Sequence, residues 1–276
     1  MILNKLKLRL TAVLVVALFL TTTLWSSSSV FAATLQFTDA VKASLTKTAQ
    51  AAGGAKQTKL MKQYDDLASL QKQSADWDSK TSTLHYSNET ILSSLRKKIK
   101  DIDADKIIKL EDQVKQTKAK YQPLFTTYSS LTKQATAAKS LKDKTLYKAL
   151  RGQADVLKIT VDLARQDIRA KEASLKTAKT DKSRKATQVR SILAEIDPLK
   201  TKIKSERSLQ STPNKSIATE WTNFKGAAKK GDADRSGDSL ARLLTLSGQV
   251  STYKQNIYNL EVKISAVLGR AKLQLP

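Results

Sequence analysis

Apolar residues recur at alternating steps of three and four along most of this chain. A mean step of 3.5 residues keeps one line of side chains, here called a seam, turned toward a neighbouring helix. The most regular seam lies near the end of the sequence and predicts a helix of coiled-coil type there. Its members are Leu243, Leu246, Val250, Tyr253, Ile257, Leu260, Ile264, Val267 and Ala271.

Two further seams occupy the middle of the chain, over residues 107–138 and 147–203. They are out of register by two residues, and the slip falls in the polar segment KSLKDK at 139–144. This slip predicts a tight turn between two antiparallel helices. Pro123 lies on the outer side of the first of these seams, where it removes one backbone donor and crowds the preceding turn. It therefore predicts a bend within residues 119–122 rather than a helix end.

The seam at 147–203 crosses a polar stretch, KTDKSRK at 179–185, in which lysines hold the seam positions. Two interpretations remain open. Either one long helix runs over about 144–207, or the polar stretch contains a turn. The unbroken phase and the absence of glycine and proline favour the single helix.

The break AAGG at 51–54 is followed by two apolar groups, within 60–67 and 92–102, and both predict helix. Between the two groups lies a softer stretch, in which the apolar pattern is weaker. In that stretch polar residues hold the expected seam positions, and larger apolar residues repeat every seven residues beside them. The helix is therefore either poorly packed there or interrupted near Ser87. The polar residues are Ser74, Thr81 and Asn88, and the apolar ones are Trp77, Leu84 and Ile91.

These patterns, with 5% aromatic residues, 8 Gly and 4 Pro, predict an all-α protein, an elongated antiparallel helical bundle with coiled-coil-like seams. Short connections at 101–105 and 139–144 favour seams that close within one chain, with closure between chains as the alternative. The predicted segments are a signal peptide at 1–32, a short N-terminal helix and break at 33–54, long antiparallel helices at 55–207, a linker at 208–216 and a C-terminal helical hairpin at 217–276.

The N-terminus has the order of a secretory signal peptide. Lys5, Lys7 and Arg9 precede a short apolar run, and small residues follow it up to Ala32, after which cleavage fits best. An uncleaved anchor is disfavoured, because about 20 apolar residues are needed to span a bilayer. We therefore expect a secreted, extracytoplasmic protein. With 0 Cys, its stability comes from helix packing, a habit common in Gram-positive secretion.

The segment GDADRSGDSLAR, 231–242, has the residue types of the first half of a calcium-binding loop. Such a loop needs a bidentate carboxylate at its twelfth position, and here that position is Leu243, which begins the C-terminal seam. A residue committed to the core cannot be a ligand. The residues that fit the first positions are Asp232, Asp234, Ser236 and Gly237.

We therefore interpret this segment as a helix boundary. Gly231 ends one helix, and Ser236 or Asp238 caps the next, where exposed amides and the helix dipole favour an acid. The acidic segment DIDAD at 101–105 is interpreted in the same way, as an acidic cap before Ile107.

No other stretch has the pattern of a catalytic site. His85 is the single histidine and there is no cysteine, so the usual transition-metal ligand sets are absent. No serine or acid near His85 forms a recognisable constellation, and we interpret it as a solvated residue on a soft helix. We assign no catalytic, cofactor-binding or metal-binding residue and expect a protein that is not an enzyme.

Positive charge is the feature that exceeds an ordinary composition. The formal net charge is +24, and loss of residues 1–32 would remove three of these charges. Such a surface attracts polyanions, although solubility alone can explain a lysine-rich exterior. The densest group, which we expect to bind a polyanion, is Arg169, Lys171, Lys176, Lys179, Lys182, Arg184, Lys185 and Arg190.

Two functional hypotheses follow. The first is a non-enzymatic helical protein that associates with the cell envelope, its partner being an anionic cell-wall polymer or an anionic lipid surface. The second is a coiled-coil spacer or regulator that docks on another exported helical protein, since Lys171, Lys182 and Lys185 hold seam positions where an acidic partner helix fits. Nucleic acid is disfavoured, because Trp77, Trp221 and Phe224 read as packing residues. An enzyme that depends on His85 or on an acid is the remaining, minor alternative.

Overall fold

The structure, a computed structural model, describes residues 35–275, so the predicted signal peptide at 1–32 lies outside the described residues. Within this range the chain is an all-α helical bundle with no strand, as predicted. Its helices are α1 (Asp39–Ala52), α2 (Gly54–Asp101), α3 (Ala104–Ser140), α4 (Lys144–Ala194), α5 (Ile196–Leu209), α6 (Ser211–Lys229) and α7 (Ala233–Leu273).

Local sequence signals set several of these boundaries. The hydroxyl of Thr38 accepts a hydrogen bond from the amide of Val41 and caps α1. Gly53, with φ of 64°, separates α1 from α2 because glycine adopts this left-handed region without steric cost. At the predicted turn, Lys142 takes φ of 59° and the carboxylate of Asp143 accepts from the amide of Leu146 at 2.9 Å.

Helices α4, α5 and α6 follow one another with single-residue breaks at Glu195 and Gln210. Each break lies three residues before a proline, Pro198 or Pro213. A proline nitrogen cannot donate to the carbonyl four residues earlier, and its ring crowds that carbonyl. The α-helical ladder is therefore interrupted once at each site and then resumes.

These breaks decide two predictions. The polar stretch 179–185 contains no turn, and α4 passes through it, but the helix ends at Ala194 rather than near 207. The prediction of a linker at 208–216 is wrong, because residues 211–229 are helical and Gln210 is the single residue between α5 and α6. Ser211 and Pro213 thus begin a helix without a preceding loop. Pro123 does not end α3, as predicted.

Contacts between the two halves of the chain define a long antiparallel hairpin. Tyr64 and Phe224 have ring centroids 6.2 Å apart near one end, and Tyr121 bonds Asp167 at 3.2 Å near the other. Residues 54–140 therefore form one arm and residues 144–229 the other, with a single reversal between them. All seam positions predicted in 107–138 and 147–203 are buried or half-buried.

The connection at 101–105, which we expected to join antiparallel neighbours, is not a reversal. Lys185 of α4 contacts Asp103 at 3.0 Å, and Lys179, further from the α4 C-terminus, contacts Glu111 at 2.6 Å. Helix α3 thus continues in the same direction as α2 and lies antiparallel to α4. Asp103, in the left-handed region with φ of 51°, lets the first arm change helix without turning back.

Helix α7 completes a three-helix base and lies parallel to α2. Three contacts along its length, Lys56 with Asp234, Asp78 with Lys254 and His85 with Glu261, have sequence separations of 178, 176 and 176 residues. A nearly constant separation requires that both helices run in the same direction. Against α5 the direction is opposite, as shown by the contacts of Glu206 with Asn256 and Glu195 with Arg270.

The base has two apolar cores. The first joins α1, α6 and the early parts of α2 and α7, and it contains an aromatic group in which Phe37 lies 5.1 Å from Tyr64 and 5.2 Å from Trp221. The second joins the late parts of α2 and α7 with α5 and the end of α4. Trp221 and Phe224 are buried, which confirms their role as packing residues.

Beyond the base, α3 and residues 144–182 of α4 form a two-helix stalk about 55 Å long, at 1.5 Å per residue of α3. Its fully buried positions are mostly small, so the helices pack closely while the larger seam residues keep partial exposure. These buried residues are Ile107, Ala135, Ala138, Ala154, Val161, Ala164 and Ala178.

Zero-length carbodiimide cross-linking followed by mass spectrometry tests this architecture. We expect a Lys56 to Asp234 link, since Nζ and Oδ1 are 2.7 Å apart, and a Lys118 to Glu172 link across the stalk, where the separation is 2.6 Å. The variant Asp234→Asn should lose only the first link. A Lys56 to Glu261 link would instead require α2 and α7 to be antiparallel and would contradict the structure.

Candidate functional site

The eight basic residues predicted to bind a polyanion all lie on α4, but they do not form one face. Lys171, Lys182 and Lys185 point inward and are half-buried. Lys182 donates to the carbonyl of Lys100 at 2.9 Å, and Lys185 pairs with Asp103. The seam that the sequence offered to a foreign acidic helix at Lys182 and Lys185 is therefore occupied by the chain's own first arm.

The outward members include a line of three exposed cations, Arg169, Lys176 and Arg190. Their separations of seven and fourteen residues keep them on one side of a supercoiled helix. Within residues 35–275 none of the three forms an ion pair with a carboxylate. The other two of the eight are paired, Lys179 with Glu111 at 2.6 Å and Arg184 with Asp181 at 3.0 Å.

An exposed apolar line on α4 was missed by the sequence analysis. Val156, Ile159 and Leu163 are 73%, 69% and 60% exposed. At about 100° per residue they lie on the side of α4 opposite the buried Ala154 and Val161, which face α3. We call these three residues the outer stripe. Their spacing of three and four residues is visible in the sequence. The more continuous seam at 147–203, on the opposite side of the same helix, was assigned instead.

The end of the stalk, residues 139–148, is here called the tip. It carries the exposed cations Lys139, Lys142, Lys144 and Lys148 and the exposed Leu141. Its single acid, Asp143, is engaged in capping α4. The tip therefore combines uncompensated positive charge with an apolar side chain that is 80% exposed.

The softer stretch of α2 is unbroken and presents its polar residues to α7. Thr81 and Asn88 are buried, whereas Ile91 is exposed. Asn88 donates through Nδ2 to the backbone carbonyl and to Oε2 of Glu261, each at 2.9 Å. The polar positions thus lie between the two apolar cores, where they and their partners on α7 form what is here called the buried layer. The interruption of α2 that was considered near Ser87 does not occur.

Glu261 is the most deeply buried acid of this layer, at 1% exposure. Nδ1 of His85 lies 2.9 Å from its Oε1, so His85 is not the solvated residue that the sequence suggested. Burial acts to raise the pKa of the Glu261 carboxyl, but hydrogen bonds from His85 and Asn88 and the charges of His85 and Arg207 outweigh burial and lower it. The carboxylate is therefore held ionised inside the base.

A second buried ion of the same layer is Lys254. Its ammonium lies 2.6 Å from Oδ2 of Asp78 and is almost fully covered, while the aspartate remains accessible. Both residues line a small cavity of about 140 Å³ beside Asn214 and Gln71. Its lining is mostly apolar, and its volume suits a few waters rather than a ligand.

The segment 231–242 is a helix boundary, as interpreted, but with a different capping residue. Asp232 caps α7 by accepting from the amide of Arg235 at 3.0 Å, whereas Ser236 is buried and bonds the carbonyl of Asp232. Leu243 is fully buried. The N-cap thus lies earlier than Ser236 or Asp238 because Gly231, with φ of 73°, ends the turn immediately before Asp232.

The acidic cap expected at 101–105 is also not formed. Asp103 occupies the N-cap position of α3 but makes no capping bond through its side chain, which is engaged with Lys185. Its left-handed backbone turns the carboxylate away from the first amides of α3. In residues 35–275, no group of three or more His, Cys, Asp or Glu residues gathers where it could hold a metal ion.

Comparison with protein-family models, with curated proteins and with solved structures gave no match to this chain. None of the helices described here is both long enough and apolar enough to cross a membrane.

The substitution Glu261→Gln tests the buried layer. We expect a loss of about 1–3 kcal/mol in the free energy of unfolding near pH 7, because the amide breaks the bond to His85 and removes the buried charge. The folded pKa of Glu261 lies below its unfolded value, so the stabilisation is present above that unfolded value and is lost as pH falls through the folded one. The difference between variant and wild type should therefore shrink in acid.

Urea unfolding followed by circular dichroism at a series of pH values measures this effect. The matched control is Glu172→Gln, which removes an exposed carboxylate of the stalk and should cost about 0–1 kcal/mol. An unchanged stability of Glu261→Gln near neutral pH, or a loss that persists undiminished in acid, would contradict the assignment.

Proposed function

We propose that the protein is an exported, non-enzymatic helical protein of the cell envelope that adheres to an anionic surface through a basic line on the outer side of α4. The observation that carries the proposal is the line of Arg169, Lys176 and Arg190. These cations are exposed, lie on one side of α4 and have no carboxylate partner within the described residues. Unpaired cations in a row suit a polymer or surface with regularly spaced anionic groups.

The distribution of acids supports the same function. Lys179 and Arg184 of the predicted group are neutralised by neighbours, so that the exposed members of this group without a carboxylate partner are those of the line. The formal excess of positive charge, +24, adds a long-range attraction that does not depend on any one contact. Such attraction weakens as ionic strength rises, because binding releases counterions from the polyanion and this release is less favourable at high salt.

The buried polar groups support a structural rather than a catalytic role. His85, Asn88 and Glu261 bond to one another inside a packed helix interface, so their polar atoms hold helices together. Two grooves of the described chain, one between α3 and α4 and one between α6 and α7, are open, and neither is lined by these groups. A reacting group would need access to the acid, and Glu261 has almost none.

Charge reversal tests the proposed surface. The triple variant Arg169→Glu, Lys176→Glu, Arg190→Glu should weaken co-sedimentation with isolated Gram-positive cell envelopes at low salt by at least about tenfold, since three phosphate contacts are replaced by repulsion. Binding of the wild type should fall steeply between about 50 and 200 mM salt. Envelopes stripped of anionic polymer, and vesicles of the anionic lipid alone, identify which source of anionic groups is bound.

A matched variant separates the surface from the total charge. Lys47→Glu, Lys59→Glu, Lys225→Glu makes the same change in net charge at exposed positions of the base. It should keep most of the binding. Equal loss in both variants would show that net charge alone drives retention, and binding that ignores salt would overturn the proposal.

A further inference from the structure

The distal half of the stalk exposes large apolar side chains that no part of the described chain covers. The outer stripe, Val156, Ile159 and Leu163, lies on α4, and Leu141 lies at the tip. The outer stripe rises by about 10 Å along α4, and Leu141 lies in the turn that precedes this helix. Large exposed apolar side chains grouped on a charged, elongated protein mark an interaction surface.

Basic residues border the outer stripe on one flank, between the stripe and α3. Two acids also lie on this flank, but each is bound to an arginine of the same helix, Arg151 with Asp155 at 3.2 Å and Arg165 with Asp162 at 3.3 Å. The lysines keep their charge, because no carboxylate pairs with them in the part of the chain that the structure describes. The exposed basic residues of this flank are Lys144, Lys148, Arg151, Lys158 and Arg165.

We infer that this surface, the outer stripe with the tip and its basic flank, docks on an anionic lipid bilayer. The inference rests on the proposed function and names its partner and its contact site. The apolar side chains enter the boundary between headgroups and acyl chains, and the lysines reach the phosphates with their ammonium groups while their stems cover apolar surface. The stalk lies along the membrane with α4 against it and α3 away from it.

Charge and apolar contact together favour a bilayer over a second copy of the chain and over a bare anionic polymer. A second copy of the chain would bring the same basic flank against itself, so the like charges of a chain with net charge +24 oppose self-association through this face. A bare anionic polymer would meet the cations but would leave Val156, Ile159 and Leu163 in water. A bilayer with anionic headgroups offers both kinds of contact, in adjacent layers.

Vesicle binding tests the inference with the chain from Ala33 to Pro276, which contains every helix described above. Vesicles with about 30% phosphatidylglycerol in phosphatidylcholine should bind the protein, and pure phosphatidylcholine should not. The variant Val156→Ser, Ile159→Ser, Leu163→Ser should lower the partition coefficient by at least about tenfold, because three apolar side chains no longer leave water.

A matched control uses exposed apolar residues of the base. Leu209→Ser, Val262→Ser, Leu273→Ser makes the same chemical change at positions outside the stalk, and vesicle binding should change by less than about twofold. Circular dichroism of both variants should be that of the wild type, since all six residues are exposed.

Because the chain has 0 Cys, a single introduced cysteine can carry an environment-sensitive dye. Dye on Ile159→Cys should shift to shorter emission wavelength when anionic vesicles are added. Dye on Lys225→Cys, in the base, should not shift.

The outcomes separate this inference from the proposed function. If the serine variant of the stripe binds vesicles as the wild type does and only charge reversal abolishes binding, the stripe is not a lipid contact and the envelope function stands. The inference also fails, and the envelope function stands, if the wild type binds isolated anionic polymer but not vesicles. A dye shift caused by an acidic amphipathic peptide and not by vesicles assigns the stripe to a helical partner and overturns the inference. Absence of binding to vesicles, polymers and envelopes overturns both proposals.

Discussion

The fold depends on one constraint, which is that each long helix must bury a seam of residues spaced by 3.5 against a partner. A single reversal at Leu141 to Asp143 lets α3 and α4 meet this requirement against each other in the stalk, whereas in the base α2, α5 and α6 pack mainly against α7. Breaks at Asp103, Glu195 and Gln210 interrupt helices without altering the pairing. The remaining helices cover whatever apolar surface the hairpin leaves exposed in its base.

The two ends of the hairpin meet this constraint differently. In the base, α1 and α7 add apolar cover, and polar residues such as Asn88 and Glu261 are enclosed with partners. A buried, bonded polar pair favours one register, because a shift of either helix would leave the carboxylate without its donors. In the stalk there is no third helix, so its surface is free to carry charge and apolar residues together.

Much of this architecture is readable from the sequence, since periodicity reports which side of a helix is buried. The seams ending in Ala138, beginning at Tyr147 and beginning at Leu243 are buried or half-buried at every position, as predicted. Periodicity does not report the partner of a seam, so the parallel pairing of α2 with α7 could not be predicted. Nor does it interpret polar seam positions, and Asn88 was taken as a sign of weak packing although it is a buried donor.

The candidate surfaces could also be predicted only in part from the sequence. Heptad counting placed Lys182 and Lys185 in a seam correctly, but it could not show that the first arm of the same chain fills that seam. The outer stripe was missed because a helix with two apolar sides gives overlapping patterns, and the more continuous one dominates. Asp232 was passed over as a cap because several acids and serines in one turn satisfy the same sequence rule.

The parallel pairing of α2 with α7 also orders the events of folding. Stalk contacts such as Tyr121 with Asp167 close loops of 46 residues, whereas His85 and Glu261 are separated by 176. Loop closure costs more entropy as the loop lengthens, and chains rich in local contacts fold faster. The stalk can therefore form from its turn outward as soon as α3 and the first part of α4 have been synthesised. The base must wait for the last forty or so residues. Until α7 arrives, His85 and Asn88 lack the acid that they bond in the folded protein, and the chain is a hairpin whose base is open to solvent and proteases.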